Sequence, residues 1–330
     1  DDKSVAMDIV TINGEKFYKI KNNDAMRPFF MSIVSDSNHS LFISSNGGLS
    51  AGRKNAEFAL FPYYTDDKIT ESVDITGSKS IFQISFNNQT LIWEPFSERF
   101  TGKYNISRNL YKNFYGNKII FEEVNHDLKL SFSYQWNSSN KFGFVKQSSI
   151  QNHSNNQYQI SVLDGIQNIM PHGVSSDLQA STSNLVDAYK RSELHQNSGL
   201  GIFALSAIIV DKAEPSEALK ANIAYALGLE NPSYLLSSLQ VNNFRKGSSV
   251  LQEDDIKGEK GAYFINSEIS LGANAEKKWM IVANVNQNHS DIVQLIETIS
   301  NDATLENRIQ ENIELGSKRL IEIHASFDAL

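Results

Sequence analysis

Residues 128–136 read LKLSFSYQW, in which Leu128, Leu130, Phe132, Tyr134 and Trp136 alternate strictly with polar residues. A period of two marks a β-strand with one buried face and one wet face. The pattern spreads in both directions. Tyr104 to Tyr111 and Lys118 to Val124 precede it, and Phe142 to Ile150 and Tyr158 to Leu163 follow. Nearer the N-terminus, Met7 to Ile12 and Lys16 to Ile20 flank Asn13-Gly14, a dipeptide that favours a tight hairpin. Phe29 to Val34 and Leu41 to Ile43 read as strands, as does a run from Ile81 to Phe96 in which Pro95 suits a strand end or an edge. Beyond the middle, strands are expected at Gly199 to Val210, Asn222 to Leu229, Tyr234 to Val241, Ala262 to Leu271 and Lys277 to Val285. Strands recurring about every ten residues with turns between them favour a large antiparallel sandwich over βαβ units.

Three segments break the β pattern. Leu178 to Gln196 carries apolar positions at Leu178, Leu185, Ala188, Tyr189 and Leu194 and reads as a surface helix. Asp291 to Ile299 reads as a short helix with Ser290 as its N-cap. Asp302 to Phe327 has the clearest helical stripe: Leu305, Ile309, Ile313, Gly316, Leu320, Ile323 and Phe327. Such a stripe must bury against something, either the β-domain or a further domain. The expected division is a β-domain over 1–288 and a helical linker over 289–330.

Length and composition bound the function classes. A chain of 330 residues can bury a large core. The net charge of −8 argues against nucleic-acid binding, which needs a basic surface. Cysteine is absent, so neither disulfides nor thiolate metal sites can form. The seven histidines show no metal-ligand spacing, and no metal or cofactor is expected. No apolar run approaches the roughly 20 residues of a membrane-spanning helix, and no apolar leader follows Asp1. The chain reads as a piece of a longer polypeptide, and its composition leaves cytoplasmic and exported locations open. Asn-x-Ser/Thr triplets at Asn38, Asn88, Asn105, Asn137, Asn152 and Asn288 are read as chance matches in an Asn-rich sequence.

The densest cluster of unusual residues is Ser44 to Asp67, SSNGGLSAGRKNAEFALFPYYTDD. Asn46-Gly47-Gly48 suits a turn that needs glycine's positive φ. On one reading a loop here is held out by the β-scaffold, and Arg53, Tyr63, Tyr64 and Asp66 with Asp67 meet a ligand. Aromatic faces and a few fixed polar groups are the chemistry of a sugar site. On the other reading the aromatics are core and the aspartates a solvated turn. A second cluster is Leu163 to Val174, LDGIQNIMPHGV. Asp164-Gly165 looks like a turn, with Asp164, Gln167 and His172 either facing a ligand or satisfying one another. No Walker loop, G-x-G-x-x-G or G-x-S-x-G is present.

These two clusters, with a β-series between them and a strand reading QNHSNNQYQISVLDGIQNI, resemble the N-terminal domain of the cellobiose phosphorylase group, glycoside hydrolase family 94 and its relatives. The resemblance implies a galactose-mutarotase-like β-supersandwich with two linker helices, and carbohydrate as the ligand class. It implies no catalytic residue in this segment. In that family a following barrel of paired helices supplies the general acid and the phosphate pocket, and these 330 residues do not include one. The implied partners are that helical-barrel domain and a second copy of the chain. The alternatives are a purely structural sugar-binding module and a stand-alone mutarotase-type enzyme. The latter needs an acid and a base across the sugar ring, for which His126 and His172 with Glu122 or Glu268 are the candidates.

Overall fold

The alternating run becomes the middle of a wide sheet. The structure, a computed structural model, describes residues 3–86, 88–180, 184–205 and 220–328. Its first strands are β1 (Ala6–Ile12), β2 (Glu15–Lys21), β3 (Phe30–Ile33), β4 (His39–Ser44), β5 (Leu49–Arg53), β6 (Ala59–Phe61), β7 (Gly77–Phe86) and β8 (Gln89–Trp93). Next come β9 (Ile106–Asn113), β10 (Ile119–Asn125), β11 (Leu130–Ser139), β12 (Gly143–Asn152), β13 (Tyr158–Ile169), β14 (Lys190–His195) and β15 (Leu200–Leu205). The last are β16 (Lys220–Leu227), β17 (Ser233–Leu235), β18 (Asp255–Lys257), β19 (Gly261–Leu271) and β20 (Glu276–Asn288). The helices are α1 (Asp66–Glu71), α2 (Ser176–Ala180), α3 (Asn184–Ala188), α4 (Val241–Arg245), α5 (His289–Asn301) and α6 (Leu305–Asp328).

The protein is mainly β, in large antiparallel sheets. An 11-stranded sheet runs in the order β1-β2-β9-β10-β11-β12-β20-β16-β15-β14-β18. A 5-stranded sheet, β17-β19-β13-β7-β8, and a 4-stranded sheet, β3-β4-β5-β6, form the opposing layer. One core lies between the layers. It joins Phe132 and Trp136 of β11 to Phe82 and Ile84 of β7 and to Ile43 and Leu49 at the Asn46-Gly47-Gly48 turn.

A buried ion pair crosses that core. Lys146 of β12 donates to Asp164 of β13 at 2.6 Å, and both side chains are fully buried. The carboxylate also accepts from Ser80 (2.6 Å), Ser148 (3.1 Å) and Trp279 Nε1 (2.7 Å). The ammonium lies 5.3 Å from the centre of the Tyr134 ring and reaches the Gly165 carbonyl at 3.3 Å. Asp164-Gly165 is therefore mid-strand, not a turn. Glycine is required at 165 by packing, because a Cβ there would come within 2.4 Å of Phe264 and of the Tyr263 carbonyl.

The Asn13-Gly14 hairpin forms as read, with both residues at positive φ, and Pro95 follows β8, the edge of its sheet. Elsewhere tertiary packing overrides the local pattern. The expected helix over Leu178 to Gln196 is two short helices and a strand, with residues 181–183 outside the described residues. β14 places Leu194 in the core, so its apolar spacing serves a sheet. Of the expected strand Gly199 to Val210, residues 206–210 lie outside the described residues. Tyr234 to Val241 shortens to β17, and Val241 opens α4. The N-cap of α5 is Asn288 rather than Ser290. It forms a capping box with Asp291, satisfying donors that a helix start otherwise leaves unpaired.

The stripe of α6 folds back onto the outer face of the large sheet. Leu305, Ile309 and Ile313 are buried against Val145, Tyr225, Met280 and Val282. Leu320 is buried too, and Gly316 lets the helix approach Asp36, whose Oδ1 would lie 2.8 Å from a Cβ. Ile323 and Phe327 continue the stripe but are exposed. The helix thus turns a two-layer sandwich into three layers along one half of the sheet.

Removing one partner of a buried pair strands the other charge, at a cost of about 3–5 kcal/mol. Lys146→Met is expected to destabilise the fold by about that amount in urea unfolding. A loss below about 1 kcal/mol would show that the three remaining donors suffice for Asp164.

Candidate functional site

The Ser44 to Asp67 stretch is woven into the scaffold and is not held out as a loop. Asn46-Gly47-Gly48 makes the β4–β5 turn, with Gly47 at φ +99°. Gly48 is needed for space, since a Cβ would lie 2.1 Å from the Ile69 carbonyl oxygen. Arg53 ends β5, half-buried. Its Nε donates to Asn38 Oδ1 at 2.8 Å, Nη1 to Asn284 Oδ1 at 3.2 Å and Nη2 to the Asn140 carbonyl at 3.0 Å. It borders a cavity of about 240 Å³.

The other expected residues scatter. Tyr63 packs over Gly52 and beside Met170, and burial raises its hydroxyl pKa. Burial also raises that of Tyr64, whose hydroxyl bonds Asn168. Asp66 is exposed in the first turn of α1, where a carboxylate favours the helix dipole, so Asp66-Asp67 opens a helix instead of forming a turn. Asp164 is enclosed in the core. Gln167 is 5% exposed and donates to Ser238 at 2.8 Å. The His172 ring lies 5.9 Å from Phe58. The acid–base candidates do not converge. Glu122 on β10 accepts from Tyr111 and Asn109, both at 2.7 Å, and His126 meets Ser107 at 2.8 Å. Glu268 is exposed on β19, in the other layer.

A larger site was missed by sequence reasoning. A groove of about 970 Å³ runs between α6 and the β1–β2 hairpin, floored by the outer face of the large sheet. The floor is supplied by Ser133, Gln135, Gln147, Ser149 and Lys278, the polar alternates of the strands whose other faces make the core, with the apolar Ile120 beside them. A directed chain of side-chain hydrogen bonds crosses it. Gln135 donates to Asn137 (2.5 Å), Asn137 to Gln147 (2.8 Å), Gln147 to Gln310 on α6 (2.6 Å) and Gln310 to Glu314 (2.8 Å). Lys118 closes the chain, reaching Glu314 at 3.4 Å and Glu15 at 2.9 Å. Phe114 and Tyr115 line one end, and Phe114 stacks on Tyr18 at 4.4 Å.

The charge of this groove is balanced. Its carboxylates are Glu15, Glu276, Glu306 and Glu314, and its ammoniums are Lys16, Lys118, Lys278 and Lys318. Glu276 accepts from Ser149 at 2.6 Å and pairs with Lys278 at 3.3 Å. Amides, hydroxyls and aromatic rings with no net charge suit a neutral polyhydroxylated ligand, and the volume lies at the upper end for small-molecule sites. The signal was present in the wet half of each alternating strand, but only the topology shows that α6 and the hairpin enclose it.

No protein-family model matches the chain, and no curated relative matches it. Solved structures do show similarity. One described as a kojibiose phosphorylase from the human microbiome aligns at 12% identity and TM-score 0.38, over 72% of this chain and 28% of that one. A polysaccharide lyase aligns at 9% identity and TM-score 0.47, over 80% of this chain and 34% of that one. One described as an aldose 1-epimerase from Klebsiella pneumoniae aligns at 8% identity and TM-score 0.40, over 92% and 93% of the two chains. The chain thus spans about a third or less of the first two, and all three descriptions name sugar-processing proteins.

One group near Arg53 gives a pH test. His39 is buried edge-on to Phe144 (4.9 Å) and shares a hydrogen bond with Ser37 at 2.7 Å. Burial first, then the Arg53 charge, pulls its pKa down to about 3. Unfolded histidine titrates near 6.5, so the unfolded chain takes up a proton that the folded chain refuses. This contribution to stability is complete above about pH 6.5 and is lost as pH falls toward 3. Stability is expected to drop by about 2 kcal/mol more between pH 7 and pH 5 in the wild type than in His39→Gln, read by urea unfolding at both pH values. Equal drops would place the ring in water.

Proposed function

We propose that this chain is a carbohydrate-binding β-sandwich domain of a larger glycoside phosphorylase- or hydrolase-like protein, related to the cellobiose phosphorylase group, with no catalysis of its own. The observation that carries the reading is the charge-balanced groove between α6 and the large sheet. Its directed amide chain leaves further N–H groups and lone pairs for sugar hydroxyls. Phe114 and Tyr115 offer rings to the apolar face of a sugar. A volume of about 970 Å³ accommodates more than one sugar ring. The exposed apolar positions Ile323 and Phe327 on the last turns of α6 support packing of this end against a helical-barrel domain or a second copy of the chain.

Calorimetric titration with glucose, galactose and cellobiose tests the groove. Cellobiose is expected to bind more tightly than either monosaccharide, and Tyr115→Ala and Gln310→Ala are each expected to weaken it about tenfold, with the melting temperature as the control for folding. Unchanged affinity in both variants would move the ligand out of the groove.

A further inference from the structure

The cavity beside Arg53 has the opposite electrostatic character from the groove. Its charged lining is Arg53 and Lys54 alone, with the amides of Asn38, Asn286 and Gln287 and the ring of Phe58. Every hydrogen-bond partner of the Arg53 guanidinium among the described residues is neutral: Asn38, Asn140 and Asn284. Among the described residues no carboxylate lies within ion-pair distance of Arg53 or of Lys54. His39, the nearest other titratable side chain on this sheet, is held neutral and supplies no balancing charge. A half-buried guanidinium without an anion is an unfinished interaction, because desolvation has been incurred and no counter-charge repays it.

The backbone is also unusual here. Lys54 and Asn286 both hold positive φ, +66° and +59°, and both line the cavity. Non-glycine residues in that region cluster at ligand sites, where the surroundings enforce the strain. Lys54 rests over the Phe58 ring at 5.7 Å. Asn286 Oδ1 is a buried acceptor with no donor among the described residues. Its backbone N–H, by contrast, is held by Asn222 at 3.1 Å.

We propose that this cavity is an oxyanion site in which Arg53 and Lys54 hold a sulfate, phosphate or carboxylate group and Asn286 accepts a hydrogen bond from a hydroxyl beside it. Arg53 brings its positive charge and the one Nη1 N–H left over from its bonds to Asn38, Asn140 and Asn284, and Lys54 adds a point charge at the open side. The volume of about 240 Å³ fits one such group with at most a single sugar ring. The anion is either free in solution or a charged substituent on a saccharide. The site is separate from the neutral groove and stands whether or not that groove binds sugar.

Calorimetry at low ionic strength with inorganic sulfate, inorganic phosphate, glucuronate and glucose tests it. At least one of the three anions is expected to bind, with glucose giving no signal from this cavity. Lys54→Gln is expected to weaken the anion about tenfold and to leave the melting temperature unchanged. Arg53→Ala is expected to abolish binding, but it also unties Asn38, Asn140 and Asn284, so Lys54→Gln carries the decision. Glucuronate binding at least tenfold tighter than the inorganic anions, and weakened by Asn286→Ala, identifies a saccharide substituent. Inorganic anions binding as tightly as glucuronate identify a free ion. No heat with any anion, or equal affinity in wild type and Lys54→Gln, overturns the proposal.

Discussion

The ion pair between Lys146 and Asp164 is the constraint on which the sandwich is arranged. Two charges with no water contact are tolerated in an apolar core only if nearly every donor and lone pair is matched. Here the match needs residues from both layers: Ser148 and Trp279 from the large sheet, Ser80 from the facing one. A slip of one residue in β12 or β13 would turn Lys146 or Asp164 to the other face of its sheet. The pair therefore contributes register as well as attraction. It fixes how the two layers sit on each other, and with that which side chains of the large sheet face outward.

The β architecture was legible where one face is buried and one is wet. β11 announces itself because Phe132, Tyr134 and Trp136 meet the core while Ser131, Ser133 and Gln135 meet solvent. The hairpin at Asn13-Gly14 was legible because it depends only on local backbone preference. The misses share another cause. In Lys190–His195 the buried alternates are Lys190, Ser192 and Leu194, two of them polar, so the strand carries no apolar alternation that sequence reading could see. Asp164-Gly165 has turn-like composition, yet the aspartate is there for Lys146 and the glycine for Phe264. Neither reason is visible within ten residues of either position.

The site was less legible than the fold. Sequence reasoning looked for rare residues close together, and it found Arg53, which does border a cavity. It also gathered Asp164 and Gln167, which are both buried inside the protein. The groove is built from common residues, one or two from each of several strands, with α6 as a wall. Such a site has no dense motif. Its elements come together only because the apolar stripe of α6 chooses the outer face of the sheet, which leaves the polar part of that face as a floor.

The position of α6 also has a consequence for biosynthesis. The groove wall is the last element of the described chain, and its contacts reach back to Lys118 and, through Gln310, to Gln147. Within the sheet, β12 waits for β20, and the Arg53 side chain waits for Asn284, 231 residues later. Contacts so distant along the chain form slowly, because a long loop must close before they reward the chain. A nascent polypeptide emerging from the ribosome would hold β9 to β12 as an open sheet, and once β16 and β20 join it the apolar outer strip of Val145, Tyr225, Met280 and Val282 stays bare until α6 arrives to cover it. The groove does not exist before that moment, whereas the Arg53 cavity needs only β20 and the chain before it, so a product stalled ahead of α6 would expose sticky surface and lack the groove.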